Sequence, residues 1–286
     1  METLFNGRLS IEVSAHGAEL CSIFSNGKEY LWQADPAFWK RHSPVLFPIV
    51  GSVWENEYRN EGTTYVLTQH GFARDMEFTL ISEENDEVRY QLVSNEETLK
   101  KYPFPFRLTI GYRIREKKVD VMWEVENTGE KEMHFQIGAH PAFYYPDFDA
   151  ETQERGFFGF NKKSGLKYIL ISEKGCADPD TQYPLKLTND LLPLDTHLTK
   201  MHLYWREARC GGLLYIIRRK LLILASILMR LLSDCGRHLP RMPRLSVLNH
   251  GTVVATKHII QESIKIRIGY SICNPKRYSK ENIPLK

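Results

Sequence analysis

Residues 1–197 predict an all-β fold, an antiparallel β-sandwich, on three observations: short segments that alternate with period two, turn residues between them at regular intervals, and no long helical period. Leu9-Ser-Ile-Glu-Val13 alternates. Thr64-Tyr-Val-Leu-Thr68 and Phe78-Thr-Leu-Ile81 are rich in β-formers. Val88–Val93, Arg107–Ile114 and Val119–Val125 alternate again. Ser25-Asn-Gly27, Glu83-Glu-Asn-Asp86 and Asn127-Thr-Gly129 supply the turns between them. Many short strands without intervening long helices pack as two antiparallel layers. A single helical turn is expected over Asn95–Lys100, where Asn95 is a good N-cap.

Aromatic residues thread this part of the chain. Trp32, Trp39, Phe104, Phe106 and Trp123 read as core. Trp54, Phe143 and Tyr144 flank the polar motifs described below and read as the wall of a cleft.

Charge divides the chain in two. Residues 1–197 carry 21 Lys and Arg against 31 Asp and Glu, a balance of −10, whereas residues 198–286 carry 17 against 4, a balance of +13. The domain organisation read from this is a β-sandwich over 1–197 and a basic, leucine-rich segment over 198–286. Five cysteines, odd in number and without CxxC spacing, point to a reducing compartment and away from a disulfide frame or zinc site. The start, Met1-Glu-Thr-Leu-Phe-Asn6, lacks the basic and apolar stretches of a secretory signal, so a cytoplasmic protein is expected.

Two segments carry candidate chemistry. In Phe135-Gln-Ile-Gly-Ala-His-Pro-Ala-Phe143, His140 stands between a β-like run (Met133, Phe135, Ile137) and a turn-prone proline. At such a strand end it would face a cleft and do acid–base work near neutral pH. In Gln69-His-Gly-Phe-Ala-Arg-Asp-Met-Glu-Phe78, His70 and Arg74 offer donors for hydroxyls or a carboxylate. There Gly71 would let backbone approach a ligand, and Phe72 would stack on an apolar sugar face.

Together with Gly17-Ala-Glu-Leu20 and Pro44-Val-Leu-Phe-Pro-Ile-Val-Gly51, these segments fall in one order and spacing. The chain resembles the aldose 1-epimerase (galactose mutarotase-like) superfamily, in its bacterial branch with HGFAR followed by GAHPAF, from about residue 5 to about residue 197. The resemblance implies a β-sandwich of the supersandwich type that interconverts the α and β anomers of an aldose by opening its ring. It implies His140 as general acid, with His70 and Arg74 holding sugar hydroxyls or the ring oxygen, and Trp54 and Phe143 lining the site. No cofactor, metal, nucleic acid or membrane is implied, and the partner is a small-molecule aldose. Arg74 alone leaves free sugar and sugar phosphate both open. Ser52 stands where relatives often carry a basic residue, which weighs slightly against phosphate.

The resemblance also implies, beyond residue 197, runs like FDAPLVGLW and IEPWYG, whose glutamate is the general base. Neither is present. Taken literally, Leu213–Leu232 and Pro240–Arg244 suggest an amphipathic membrane-surface helix or a basic nucleic-acid arm on a β-domain. A spanning helix is excluded by the nine apolar residues Leu221–Met229, against the roughly 20 required.

A displaced reading frame accounts for more. His197–Trp205 written as CAT TTG ACA AAG ATG CAC TTA TAT TGG contains, from the third base of the first codon, Phe-Asp-Lys-Asp-Ala-Leu-Ile-Leu. In that register the codons of Ser226–Asp234 allow Asp-Phe-Asp-Ala-Pro-Leu-Val-Gly, and those after Leu239 allow Val-Cys-Ile-Glu-Pro-Trp-Tyr-Gly-Arg-Cys-Asp. The expectation is a frameshift close to His197, with the lost glutamate coded by bases now inside Leu248 and Asn249, and little or no mutarotase activity left. The alternatives are a non-catalytic carbohydrate-binding sandwich and a β-domain with a membrane- or nucleic-acid-binding basic tail. Residues 198–286 are not expected to form the family's strands.

Overall fold

Alternating residues in the first two-thirds of the chain do form strands, and their buried faces meet in one core. The structure, a computed structural model, describes residues 1–143, 164–167 and 182–193 in full. It also describes the backbone of the strands within 157–160, 168–170, 203–204, 213–217, 221–225 and 265–273.

A four-stranded antiparallel sheet opens the chain: β1 (Glu2–Phe5), β2 (Leu9–Ser14), β3 (Glu19–Ser25) and β4 (Lys28–Glu29), in that order. Asn26 and Gly27, both at positive φ, close the β3–β4 turn, as the Ser25-Asn-Gly27 signal predicts. Next come β5 (Val45–Leu46) and the hairpin of β6 (Glu57–Asn60) with β7 (Thr63–Val66). Then follow β8 (Thr79–Glu83), β9 (Glu87–Val93), β10 (Phe106–Arg115), β11 (Lys118–Asn127) and the two-residue β12 (Gly138–Ala139).

The later strands are β13 (Phe157–Phe160), β14 (Lys167–Leu170), β15 (Tyr183–Pro184) and β16 (Leu191–Pro193). After them come β17 (Leu203–Tyr204), β18 (Leu213–Ile217), β19 (Leu221–Ala225) and β20 (Lys265–Cys273). The large sheet runs β16-β13-β18-β19-β20-β11-β10-β9-β8.

Register explains the core. Ile110 on β10 stands opposite Trp123 on β11 and Tyr90 on β9, and Tyr112 opposite Val121 and Val88. These rows share one face of the large sheet, as period two requires. All are buried, together with Leu9, Ile11, Val13 and Ile23 of the small sheet. Each such side chain contributes about 1.5–3 kcal/mol by leaving water. Polar tips tie the layers together: the Tyr90 and Tyr112 hydroxyls donate to the carbonyls of Val13 and Ala18. Burial pushes the Tyr112 phenol far above its ordinary pKa.

The expected helical turn is α1 (Glu96–Lys101). The Asn95 side chain accepts from Thr98 N–H while the Thr98 hydroxyl accepts from Asn95 N–H, a reciprocal cap. Asn95→Ala should lower stability by about 1 kcal/mol in denaturant titration, and an unchanged midpoint would remove the cap from the account.

Two expectations are corrected. Met133, Phe135 and Ile137 form no strand, because only Gly138 and Ala139 pair, with Leu46 and Val45. Residues 213–225 carry two strands in place of a helix: the blocks Leu-Leu-Tyr-Ile-Ile and Leu-Leu-Ile-Leu-Ala are long enough for strands and pair antiparallel, Leu213 against Ala225. β20 lies parallel to β11, Lys118 against Lys265. Among the described residues no helix is long and apolar enough to cross a membrane.

Candidate functional site

The four motifs noted in the sequence touch one another, and β5 is their hub. On one side β5 pairs with β12, so that Pro44 O accepts from His140 N–H and His42 O from Ala142 N–H. On the other side Phe47 bridges Gly71, and its carbonyl accepts from both Phe72 and Ala73 N–H. Gly17 N–H donates to Met76 O at 2.7 Å, and a Cβ on Gly17 would stand 2.8 Å from Arg74 O. The segment Gly17–Leu20 is therefore packed directly beneath the one that carries Arg74.

This hub brings His70 and His140 together, with ring centroids 5.9 Å apart. His140 is exposed and directly follows β12, the two-residue strand that stands in place of the expected Met133–Ile137 run. His70 is half-buried and held twice by one residue: its N–H donates to Gly51 O, and its Nδ1 accepts from Gly51 N–H at 2.9 Å. An Nδ1 that accepts leaves the proton of the neutral ring on Nε2. Burial, then the Arg74 charge, hold the His70 pKa down to about 3, so the ring stays a neutral donor.

Arg74 lies mostly buried. It donates from one terminal nitrogen to Gln69 O, and its Nε, which makes no hydrogen bond among the described atoms, stands 3.6 Å from Asp75 Oδ2. Burial lowers its pKa from the usual value, and the nearby Arg41 lowers it further. Arg41 donates to Asp75 at 2.6 Å and reaches Arg74 O. An arginine pair with one carboxylate thus borders the two imidazoles.

His70 yields a pH prediction. Its folded pKa lies below the unfolded value of about 6.5. The neutral ring therefore contributes its full stability above about pH 6.5, and that contribution is lost as pH falls toward 3. In NMR titration His70 should keep its neutral chemical shifts down to at least pH 5. Titration near pH 6.5 would overturn this placement.

Two roles assigned from sequence change. Phe72 is not a sugar platform, because its ring is buried between Phe47 and Phe106. Gly71 makes room for protein and not for ligand: a Cβ there would sit 2.2 Å from Phe47 O. Phe143 is half-buried, pairs with Leu31 and packs against the main core. Trp54 is 44% exposed on the short turn Trp54–Asn56, three residues past Gly51. Tyr144 lies outside the described residues.

Sequence reasoning missed two neighbours. Trp39 reads as core in the sequence, yet it is half-buried with its ring 5.7 Å from that of His140. Its carbonyl accepts from Trp32 Nε1, and Trp32 meets the exposed Phe38 edge to face. Arg41 gave no signal beyond being the second of two basic residues before the Pro44 segment.

The sandwich, with these motifs gathered at β5, defines a galactose mutarotase-like β-sandwich protein. The model of the family described as aldose 1-epimerase matches residues 2–169, and the chain belongs to that family. Protein LacX (plasmid) of Lactococcus lactis subsp. lactis is 36% identical over 208 residues, 68% of this chain and 68% of that protein. A galactose mutarotase related enzyme from Lactobacillus acidophilus superposes with a TM-score of 0.73 at 31% identity, covering 79% of this chain and 76% of that one. A galactose mutarotase-like protein from Lactobacillus casei ATCC 334 gives 0.74 at 28% identity, with 79% of each chain covered.

Proposed function

We propose that the cleft at β5 binds an aldose and supplies one half of the acid–base pair that opens its ring. Mutarotation removes a proton from the anomeric hydroxyl while an acid protonates the ring oxygen. C1 then rotates, and the ring closes from the other face. Two groups on opposite sides of the sugar suffice. The exposed His140 is the acid, His70 Nε2–H is a fixed donor to a ring or hydroxyl oxygen, and Arg74 binds hydroxyls. Trp54 and Phe143 are assigned to the walls of the cleft.

The observation that carries this reading is the pairing of an exposed imidazole with a neutral, backbone-locked one, at 5.9 Å between centroids. One ring is exposed at the end of β12, and the other is fixed as a donor.

The base is the missing half. The glutamate that the family resemblance implies has no counterpart in the sequence beyond residue 197. A displaced reading frame from near His197 supplies one within bases of Leu248 and Asn249. About a third of this chain and about a third of the curated relative lie outside their match. The cysteine pattern supports a cytoplasmic setting.

Calorimetry with galactose and glucose tests the pocket, and polarimetry on the freshly dissolved α-anomers tests turnover. Binding with rotation decaying at the buffer's rate is the expected result. Rapid mutarotation by the chain refutes the missing base, and no binding of either sugar refutes the aldose pocket.

A further inference from the structure

The Gly17–Leu20 motif contributes a residue to which no role has yet been given. Glu19, the first residue of β3, is buried. Its Oε1 accepts two backbone hydrogen bonds, from His42 N–H at 2.7 Å and Ser43 N–H at 2.8 Å. A buried carboxylate is costly unless its lone pairs are used, and here they are used on consecutive amides of one loop.

That loop is what holds the acid. His42 O accepts from Ala142 N–H, and Pro44 O accepts from His140 N–H at 3.0 Å. Glu19 thus fixes the amides of residues 42 and 43, whose neighbouring carbonyls fix the backbone on either side of Pro141. The same loop carries Trp39, packed on the His140 ring, and Arg41, whose guanidinium reaches Arg74 O. Glu19 also acts on the Arg74 cation through its charge, favouring the charged form.

We propose that Glu19 is the positioning residue of the cleft, its carboxylate setting the height of His140 over the sugar site by anchoring the His42–Pro44 loop. Glu19 does not touch the reacting atoms. The proposal rests on the aldose reading only for its consequence for sugar affinity, because the clamp itself is a matter of backbone hydrogen bonds.

The test compares the wild-type chain with Glu19→Gln, Glu19→Asp and Glu19→Ala. Amide hydrogen exchange is read by NMR, and galactose affinity by calorimetry. Gln keeps an oxygen at the right distance to accept both N–H groups, whereas Asp withdraws it by one methylene and Ala removes it. Exchange at His42, Ser43, His140 and Ala142 should rise about 10- to 100-fold in Glu19→Ala, and less in Glu19→Asp. It should stay within about threefold of wild type in Glu19→Gln, with β9–β11 protected throughout. Galactose affinity should follow the same order.

If Glu19→Ala does not fold, Asp against Gln decides the matter. Unchanged exchange at His140 and Ala142 in Glu19→Asp overturns the clamp, as does exchange in Glu19→Gln that matches Glu19→Asp. A wild-type chain that binds neither galactose nor glucose, but shows the exchange pattern, sinks the aldose reading and leaves the clamp standing.

Discussion

A gene shifted by one base just before the codon of His197, and returned to the family's register, should yield a chain that mutarotates α-galactose or α-glucose. The chain as it stands should leave either sugar relaxing at the buffer's rate. The expected gain is about 10²–10⁴, the usual worth of one general acid or base, because the residues proposed as acid and fixed donor are already in place. His140 is exposed at the end of β12, and His70 is locked by Gly51 with its proton on Nε2. On the proposed reading, what the shift adds is a carboxylate to take the anomeric proton.

A control separates chemistry from folding. His140→Asn in the restored chain should remove most of the gain while leaving the melting temperature close to that of its parent, since an exposed ring contributes little to the core. Gain without dependence on His140 would sink the assignment of the acid. Rapid mutarotation by the unshifted chain would sink the absence of the base.

The strands of the first half were legible because each has one buried face. Leu9–Ser14 and Glu87–Val93 alternate in sequence as they do in burial, and the six-residue helix announced itself by its cap. The parallel pairing of β11 with β20 was not legible, since pairing direction is set by which edges meet and not by the period of either strand. The 213–225 region misled for a related reason. Its apolar blocks fit a helix face and a hairpin equally by composition, and length alone favoured strands.

At the site, His70, His140 and Arg74 were readable as residue types in familiar order, and the structure gathers them. Phe72 and Gly71 were misread because a ring or a glycine beside polar residues looks the same whether it faces ligand or protein. Only the Phe47 carbonyl, invisible in sequence, decides between the two. Trp39 was misread in the opposite sense: an aromatic in a polar loop carries no sign that its ring lies against a histidine a hundred residues away.

Gly71→Ala should be among the most destabilising single substitutions in the chain. Gly71 has φ +70°, where an L side chain costs roughly 1–2 kcal/mol, and the new Cβ would lie 2.2 Å from Phe47 O and 2.5 Å from Phe47 C. Both are backbone atoms of the hub, so they give way only if β5 moves, which adds about 1–3 kcal/mol as overpacking does elsewhere. The total, about 3 kcal/mol or more, is a large share of the 5–15 kcal/mol that holds a typical domain.

Two other glycines calibrate the effect. Gly17, at φ +68°, would place its Cβ 2.8 Å from Arg74 O and should cost less than Gly71. Gly27, at φ +73° with open space around it, should cost only the conformational share, about 1 kcal/mol. Chemical denaturation of the three Ala variants should rank Gly71 worst and Gly27 mildest. Equal losses at Gly71 and Gly27 would mean that the approach of Phe47 to Gly71 is not what holds these segments together. Because His70 precedes Gly71 and β5 carries His140 through β12, Gly71→Ala should also weaken galactose binding at temperatures where the chain is still folded.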